Sequence, residues 1–204
     1  MKSSKLIILG ISGSPRKAAT DFVVRKALEY AEKKFRVKTD YFHFYGKKIN
    51  FCLHCDYCVR KKMGCIQKDD MTEAYAKLEE ADAMLFGTPV YNGTISGQLK
   101  TFFDRCRALV AKNSNALKNK ASAGVAVGGD RIGGHELALL TIHSFFLINK
   151  MIPVSGGALK ANLGGTIWSR DLGAKGAEED VEGFKSVYKT VDRLVEVAIL
   201  LRKT

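Results

Sequence analysis

Cys52, Cys55, Cys58 and Cys65 fall in the run CLHCDYCVRKKMGC, spaced C-x2-C-x2-C-x6-C. Two-residue gaps let successive thiolates converge on one metal centre, and the wider last gap lets the fourth close the cage. Thiolates suit iron–sulfur clusters, zinc and copper(I). Ferredoxins use runs of similar compactness, in some of which the fourth cysteine serves a second cluster. No second cluster motif is present here, so Cys65 is expected to close the same one. Structural zinc more often uses two separated Cys/His pairs. The spacing therefore favours one [4Fe–4S] cluster on Cys52, Cys55, Cys58 and Cys65, with zinc and no metal as the alternatives. His54 stands between two cysteines and reads as an exposed or supporting residue rather than a ligand. Arg60, Lys61 and Lys62 lie inside the wide gap. Positive charge near an anionic cluster favours its reduced form and raises the potential; without a cluster, these residues solvate an exposed loop.

A second chemical signal is Ser12-Gly13-Ser14-Pro15-Arg16-Lys17-Ala18-Ala19-Thr20. It follows an apolar strand and leads into a helix, the place where doubly wound sheets bind anions. The helix start offers free backbone N–H groups, and Ser12, Ser14 and Thr20 add hydroxyls. Arg16 adds a charge that can pair with phosphate. Neither G-x-G-x-x-G nor G-x-x-x-x-G-K-[ST] is present, which disfavours a dinucleotide fingerprint or a nucleoside triphosphate loop. An ordinary capped helix start is the plainer reading.

Two further loops follow strands. Pro89 stiffens the segment Thr88 to Gly97, and Gly93 and Gly97 keep its backbone open to close approach. Tyr91 can offer an aromatic face to a flat ring, and backbone N–H groups around Val90, Tyr91 and Asn92 can bond a ring edge. The next strand ends in Gly128-Gly129-Asp130-Arg131-Ile132-Gly133-Gly134, whose glycines permit the same approach from the other side. One Gly-rich turn is often mere connection. Three at the carboxyl ends of neighbouring strands point to a ligand site.

The elements that must position these loops alternate along the chain. Strands are expected over Lys5–Ile11, Val37–Phe44, Ala83–Gly87, Ala121–Val127 and Met151–Val154. Helices are expected over Thr20–Lys34, Asp70–Glu80, Gln98–Leu109, His135–Asn149 and Val181–Leu201. In the last, Val181, Phe184, Tyr188, Val191, Val195 and Ala198 form one stripe. Helix 135–149 is so apolar that the sheet or a second subunit must cover most of it. His135 and Glu136 open it and read as capping and packing groups. Such alternation implies an α/β fold, a doubly wound five-stranded parallel sheet in the flavodoxin-like order 2-1-3-4-5. One domain over 1–204 is expected, with two insertions: the cysteine loop 50–68 and a Gly-rich stretch 155–176 without clear periodicity.

Composition limits the function classes. Apolar residues make up 46% of the 204, which suits a globular chain and argues against disorder. No apolar run approaches the roughly 18 residues of a membrane span. The polar stretch Met1 to Lys5 leads straight into the first strand, leaving no room for a leader, so a cytoplasmic protein with reduced thiols is expected. Cys106, between Arg105 and Arg107, reads as a small packed hydrophobe. The formal charge of +12 is dispersed, and its longest run is Arg60-Lys61-Lys62. That argues against nucleic acid as the partner. A bound phosphate and an anionic cluster would cancel part of the excess, and the rest can steer acidic electron carriers or simply solvate the surface.

The segments SGSPR at 12–16, TPVYNGTISGQLKTFFDR at 88–105 and GGDRIGGHE at 128–136 resemble the NADPH-dependent FMN reductase family of the flavodoxin superfamily. The likeness spans roughly Lys5 to Leu159. With the cysteine run included, the chain is similar to the archaeal and bacterial iron–sulfur flavoproteins. The resemblance implies one FMN per subunit, its phosphate on Ser12, Ser14, Pro15, Arg16 and Thr20. The isoalloxazine would lie against Pro89, Val90, Tyr91, Asn92 and Gly93 and the turn Gly128, Gly129 and Asp130. Ala18-Ala19 replaces the Gly/Asn-rich spacer common in such loops. The resemblance further implies homodimers or homotetramers in which one subunit's cluster approaches another's FMN, with helix 137–148 and the stretch holding Trp168 as contact surfaces.

The expected function is electron transfer, coupling two-electron flavin chemistry to one-electron carriers such as a ferredoxin-like or other acidic protein, with NAD(P)H as a further partner. No nucleophile or general-base triad is discernible. The alternatives are an NAD(P)H-dependent FMN or quinone reductase without a cluster, and a basic zinc-binding module that contacts nucleic acid.

Overall fold

The computed structural model describes residues 5–203. Most of the polar stretch read as excluding a leader, Met1 to Ser4, lies outside them. Strands β1 (Ile7–Ser12), β3 (Ala83–Pro89) and β4 (Ala121–Gly128) are almost wholly buried. Strands sheathed on both faces by helices must be largely apolar, and these are, with Ser12, Thr88 and Ser122 as their polar side chains. β2 (Lys38–His43) is mostly half-exposed and forms one edge. The strands run parallel in the order β2-β1-β3-β4-β5, as the alternating pattern predicts, with β5 at Ile152–Val154.

Side-chain alternation splits the core in two. Ile8, Leu85, Val125 and Val127 face helices α1 (Ala19–Phe35) and α8 (Val181–Lys203). Leu9, Ile11, Met84 and Phe86 face α3 (Met71–Glu80), α4 (Gly97–Arg105) and α6 (His135–Ile148). On that second face Phe86 contacts Phe102, Phe103, Phe145 and Phe146, and Phe103 stacks on Phe145 at 3.9 Å. The sheet buries Ala138, Leu139, Ile142 and Phe146 of α6 but leaves Leu137, Leu140, Leu147 and Ile148 exposed.

Three local outcomes differ from the sequence reading. The helix expected over Gln98–Leu109 is broken at Cys106, whose N–H is shared between the carbonyls of Phe102 (3.0 Å) and Phe103 (3.2 Å). A new short helix, α5 (Arg107–Lys112), starts beyond it. Val181 is exposed, because the buried stripe of α8 begins only at Gly183 and Phe184.

The largest difference concerns 155–176, which is not without regular structure. It contains β6 (Gly165–Trp168) and α7 (Gly173–Glu178). β5 pairs with Ala121–Ala123 of β4, and β6 pairs with Val125–Gly128. Two short strands thus share the fifth position, making six in all. Four residues cannot display an alternation, and the two glycines of GAKGAE hide a helix that lies against α1.

Asp180 ties this region to α8. Its carboxylate accepts the Trp168 N–H at 2.8 Å and the Gly183 N–H at 3.0 Å, so one side chain both caps the helix and holds the end of β6. Asp180→Ala is expected to lower stability by ~1–2 kcal/mol, at the upper end for a lost cap. A urea midpoint measures the loss, and amide exchange at Trp168 should quicken more than at Phe86.

Candidate functional site

All three carboxyl-edge loops meet. Ser12 ends β1, fully buried, and its Oγ has no hydrogen-bond partner among the described residues. The neighbouring Tyr41 hydroxyl is committed to Asp21 at 2.5 Å; burial and that carboxylate push the phenol well up. Ser14 is buried and folds a tight turn, its Oγ accepting the Arg16 N–H at 3.1 Å and donating to the Arg16 carbonyl at 2.9 Å. Pro15 is half-buried, and Arg16 is exposed, with no ion-pair partner among the described residues. Ala18 stands at the N-cap of α1 and supplies no capping side chain, so the helix start keeps free N–H groups beside buried Thr20. A buried orphan hydroxyl, an uncapped helix and a free guanidinium fit a phosphate.

The second loop is braced from below. Ser96 Oγ donates to the Gly13 carbonyl at 2.6 Å and accepts the Leu99 N–H at 3.1 Å, capping α4 while tying it to the first loop. The Gly13 N–H reaches the Gly87 carbonyl at 2.7 Å, and the Ser96 N–H reaches Thr88 Oγ1 at 3.1 Å. Above this brace Tyr91 and Thr94 pair across a two-residue turn, with Asn92 and Gly93 at φ of 47° and 81°. Asn-Gly is the sequence that such a turn demands. Pro89 is buried, while Val90, Tyr91 and Gly93 are half-buried and Asn92 is exposed. Ser96 and Thr88 were not singled out in the sequence; the Ser-Gly-Gln-Leu helix start was the signal available.

The third loop closes against the second. Gly134 has φ of 108°, and a Cβ there would stand 2.2 Å from the Gly93 carbonyl oxygen. The Gly128 carbonyl accepts both the N–H (2.7 Å) and the Oγ (3.0 Å) of Ser169, just past β6. Gly129 leaves room for the Asp171 carboxylate, and Asp130 is exposed. Arg131 and Arg170 each lie over the Trp168 ring, at 4.4 and 4.6 Å from its centroid. His135 is buried, its Nε2–H donating to the Ile167 carbonyl at 3.1 Å.

Cys52, Cys55, Cys58 and Cys65 all line one small cavity, with α2 (Tyr57–Lys61) forming part of its wall and Asp104, Arg105, Arg107 and Ala108 its floor. All are free thiols; Cys55 is exposed and the other three are half-buried. Among the described residues no three His, Cys, Asp or Glu side chains stand close enough to share a single ion. A four-iron cube does not require that, because each thiolate takes a different corner. Four thiolates without a nitrogen ligand are a donor set that an iron–sulfur cluster takes. Cys106 is apart from this group, in the core, where burial pushes its thiol far up.

The cysteine loop is clamped at its neck. Arg105 forks onto Asp69 with contacts of 2.6 and 3.0 Å, and the two side chains are only 1% and 2% exposed. Arg105 Nη1 also donates to the Asn50 carbonyl at 2.8 Å, while Asp69 accepts the Asn50 N–H at 3.0 Å. Asn50 and Asp69 flank the loop, so one guanidinium holds both of its ends. Outside the clamp Arg107 pairs with Asp56 at 2.6 Å and Arg60 donates to the Cys55 carbonyl at 3.0 Å. Lys61 and Lys62 are exposed. Arg105 was read from sequence only as a neighbour of Cys106; a lone arginine late in a helix gives no sign of burial.

Residues 6–165 match the family described as NADPH-dependent FMN reductase. The chain belongs to that family. It is a flavin-dependent oxidoreductase with a flavodoxin-like fold. It is 56% identical over 190 residues to an iron–sulfur flavoprotein of Methanocaldococcus jannaschii, covering 93% of this chain and 96% of that one. It is 50% identical over 191 residues to an iron–sulfur flavoprotein of Archaeoglobus fulgidus, covering 94% and 96%. In structure it is similar to a flavodoxin, WrbA-like protein from Agrobacterium tumefaciens, with a TM-score of 0.60 at 20% identity over 98% and 99% of the two chains. No helix among the described residues is long and apolar enough to cross a membrane.

Burial alone would raise the Asp69 carboxyl, but Arg105 and the N–H groups of Asn50 and Met71 outweigh it and hold the group below the usual range. A carboxyl depressed in the folded state adds stability above its unfolded pKa and loses it as pH falls through the folded value. Asp69→Asn is therefore expected to cost ~3–5 kcal/mol at neutral pH, the usual loss for breaking a buried pair. The gap to the native chain should close as pH drops below about 4, near the unfolded carboxylate value. Denaturant midpoints of both chains across pH measure it.

Proposed function

We propose that the chain is an iron–sulfur flavoprotein that couples two-electron flavin chemistry to one-electron carriers. The observation that carries this reading is the shared cavity of Cys52, Cys55, Cys58 and Cys65 on a chain of the FMN reductase family. The names of the similar archaeal proteins support it. FMN would take its phosphate on Ser12, Ser14, Pro15, Arg16 and Thr20, and its ring against Pro89, Val90, Tyr91, Asn92, Gly93, Gly128, Gly129 and Asp130. Together a flavin and a [4Fe–4S] cluster on the four cysteines would supply exchange between electron pairs and single electrons.

The protein's part is binding and orientation. The Ser12 hydroxyl and the α1 N–H groups receive a dianion without displacing any internal bond. Ser96 keeps the first two loops in fixed register while a ligand enters. The half-buried Tyr91 shields a ring edge from water. Arg105 stands nine residues along α4 from Ser96, ~13 Å at 1.5 Å per residue, so the cysteine cavity is set apart from the ring loops. A homodimer or homotetramer that seats one copy's cysteine loop beside another's ring loops would shorten that path. The exposed Leu137, Leu140, Leu147 and Ile148 of α6 provide apolar surface for such contact. NAD(P)H is the expected pair donor. A ferredoxin-like acidic carrier suits the basic rim of Arg60, Lys61, Lys62 and Lys68.

Anaerobic purification with cofactor counts tests this reading: about four irons and one FMN per chain are expected, in line with a single cubane and one flavin. A yellow protein that takes up no iron or sulfide on anaerobic reconstitution would leave a cluster-free FMN or quinone reductase; zinc without flavin would leave a basic zinc module. Cys55→Ser should remove iron and keep flavin. Ser12→Ala should weaken FMN about tenfold or more, the worth of a hydrogen bond to a charged group, and leave riboflavin binding unchanged. Fluorescence titration with both flavins reads the difference.

A further inference from the structure

We propose that Arg105 is a built-in donor to the metal centre. Held beside the cavity by Asp69, its Nε–H would hydrogen-bond a sulfur of the bound cluster and favour the reduced form. This rests on the cluster reading given above.

Three observations carry it. First, the guanidinium is committed on one side only. Nη1 donates to Asn50 and Asp69 and Nη2 donates to Asp69, but the buried Nε has no acceptor among the described residues. A buried donor left without a partner bears its full desolvation penalty, so such a group points to a missing acceptor. Second, Arg105 lines the same cavity as the four cysteines, and no other ligand class is represented there in such number. Third, the other charged groups of the wall are paired elsewhere. Arg107 pairs with Asp56 at 2.6 Å, and Asp104 pairs with Lys100 at 2.7 Å. Arg105 is thus the wall cation that combines burial, a rigid mount and a spare N–H. Hydrogen bonds to cluster sulfurs disperse the charge added on reduction and so raise the potential.

The test uses holoprotein reconstituted without air. Arg105→Lys keeps the charge and a bond to Asp69 but loses the Nε–H. FMN content should match the native chain, and the cluster is read in the protein that keeps its iron. The cluster's reduction equilibrium should become about tenfold less favourable, ~59 mV lower for one electron. Its Fe–S(Cys) Raman bands should shift, while the FMN potential stays put. An intact cluster with unchanged potential and bands in this variant would overturn the role. If Arg105→Lys fails to hold the cluster, the pair variant Arg105→Met with Asp69→Asn removes the ion pair together and should show a shift at least as large. Loss of the cluster in both variants, with FMN retained, would make Arg105 structural only and would equally overturn it. Native protein that binds no iron defeats the cluster reading itself, a separate outcome read before any substitution is made.

Discussion

The fork of Arg105 onto Asp69 closes the neck of the cysteine loop. Between Asn50 and Asp69 the chain leaves Phe51, Leu53, Val59, Met63 and Ile66 exposed, so little of its apolar surface is buried. Left-handed residues His54, Asp56 and Lys62 bend it sharply, at a cost that only fixed ends can impose. One planar side chain bonds both ends, because its five donors lie in a rigid fork that an ammonium cannot imitate. Burial makes the pair costly to break. It gains conformational definition more than net stability, since two charges leave water to form it. The helix break at Cys106 belongs to the same arrangement, since Arg105 turns inward to Asp69 while Arg107, two residues on, reaches Asp56.

The carboxyl edge works on the opposite plan, with neutral groups and many small bonds. Ser96, Thr88, Gly13 and Gly87 lock the first two loops, and Gly134 lets the third rest directly on the carbonyl of Gly93. Among the groups left unmatched at this edge are Ser12 Oγ, His43 Nδ1 and the uncapped start of α1. A rigid scaffold with its spare donors gathered together needs no rearrangement to receive an anion.

The sheet order was legible because β1, β3 and β4 are uninterrupted apolar runs and the helices between them keep a 3.6-residue period. The loops were legible because glycine, proline and serine collect where strands end. The cysteines announced themselves by spacing alone. Elements whose stability comes from neighbours were invisible. β6 is four residues that become a strand only when β4 offers an edge, and α7 contains two glycines. The burial of Arg105 could not be read either, since its partner Asp69 lies 36 residues away and neither has a distinctive local pattern. The orphan state of Ser12 is likewise a property of the assembled edge.

The chain has a single tryptophan, Trp168, at the end of β6. Arg131 from the third loop and Arg170 from the turn beyond lie over its indole. Its emission therefore comes from one address, beside the loop that would border the flavin, and an isoalloxazine absorbs at the wavelengths where indole emits. The fold sets its one indole beside that loop, so flavin occupancy would become visible as quenching, without any label.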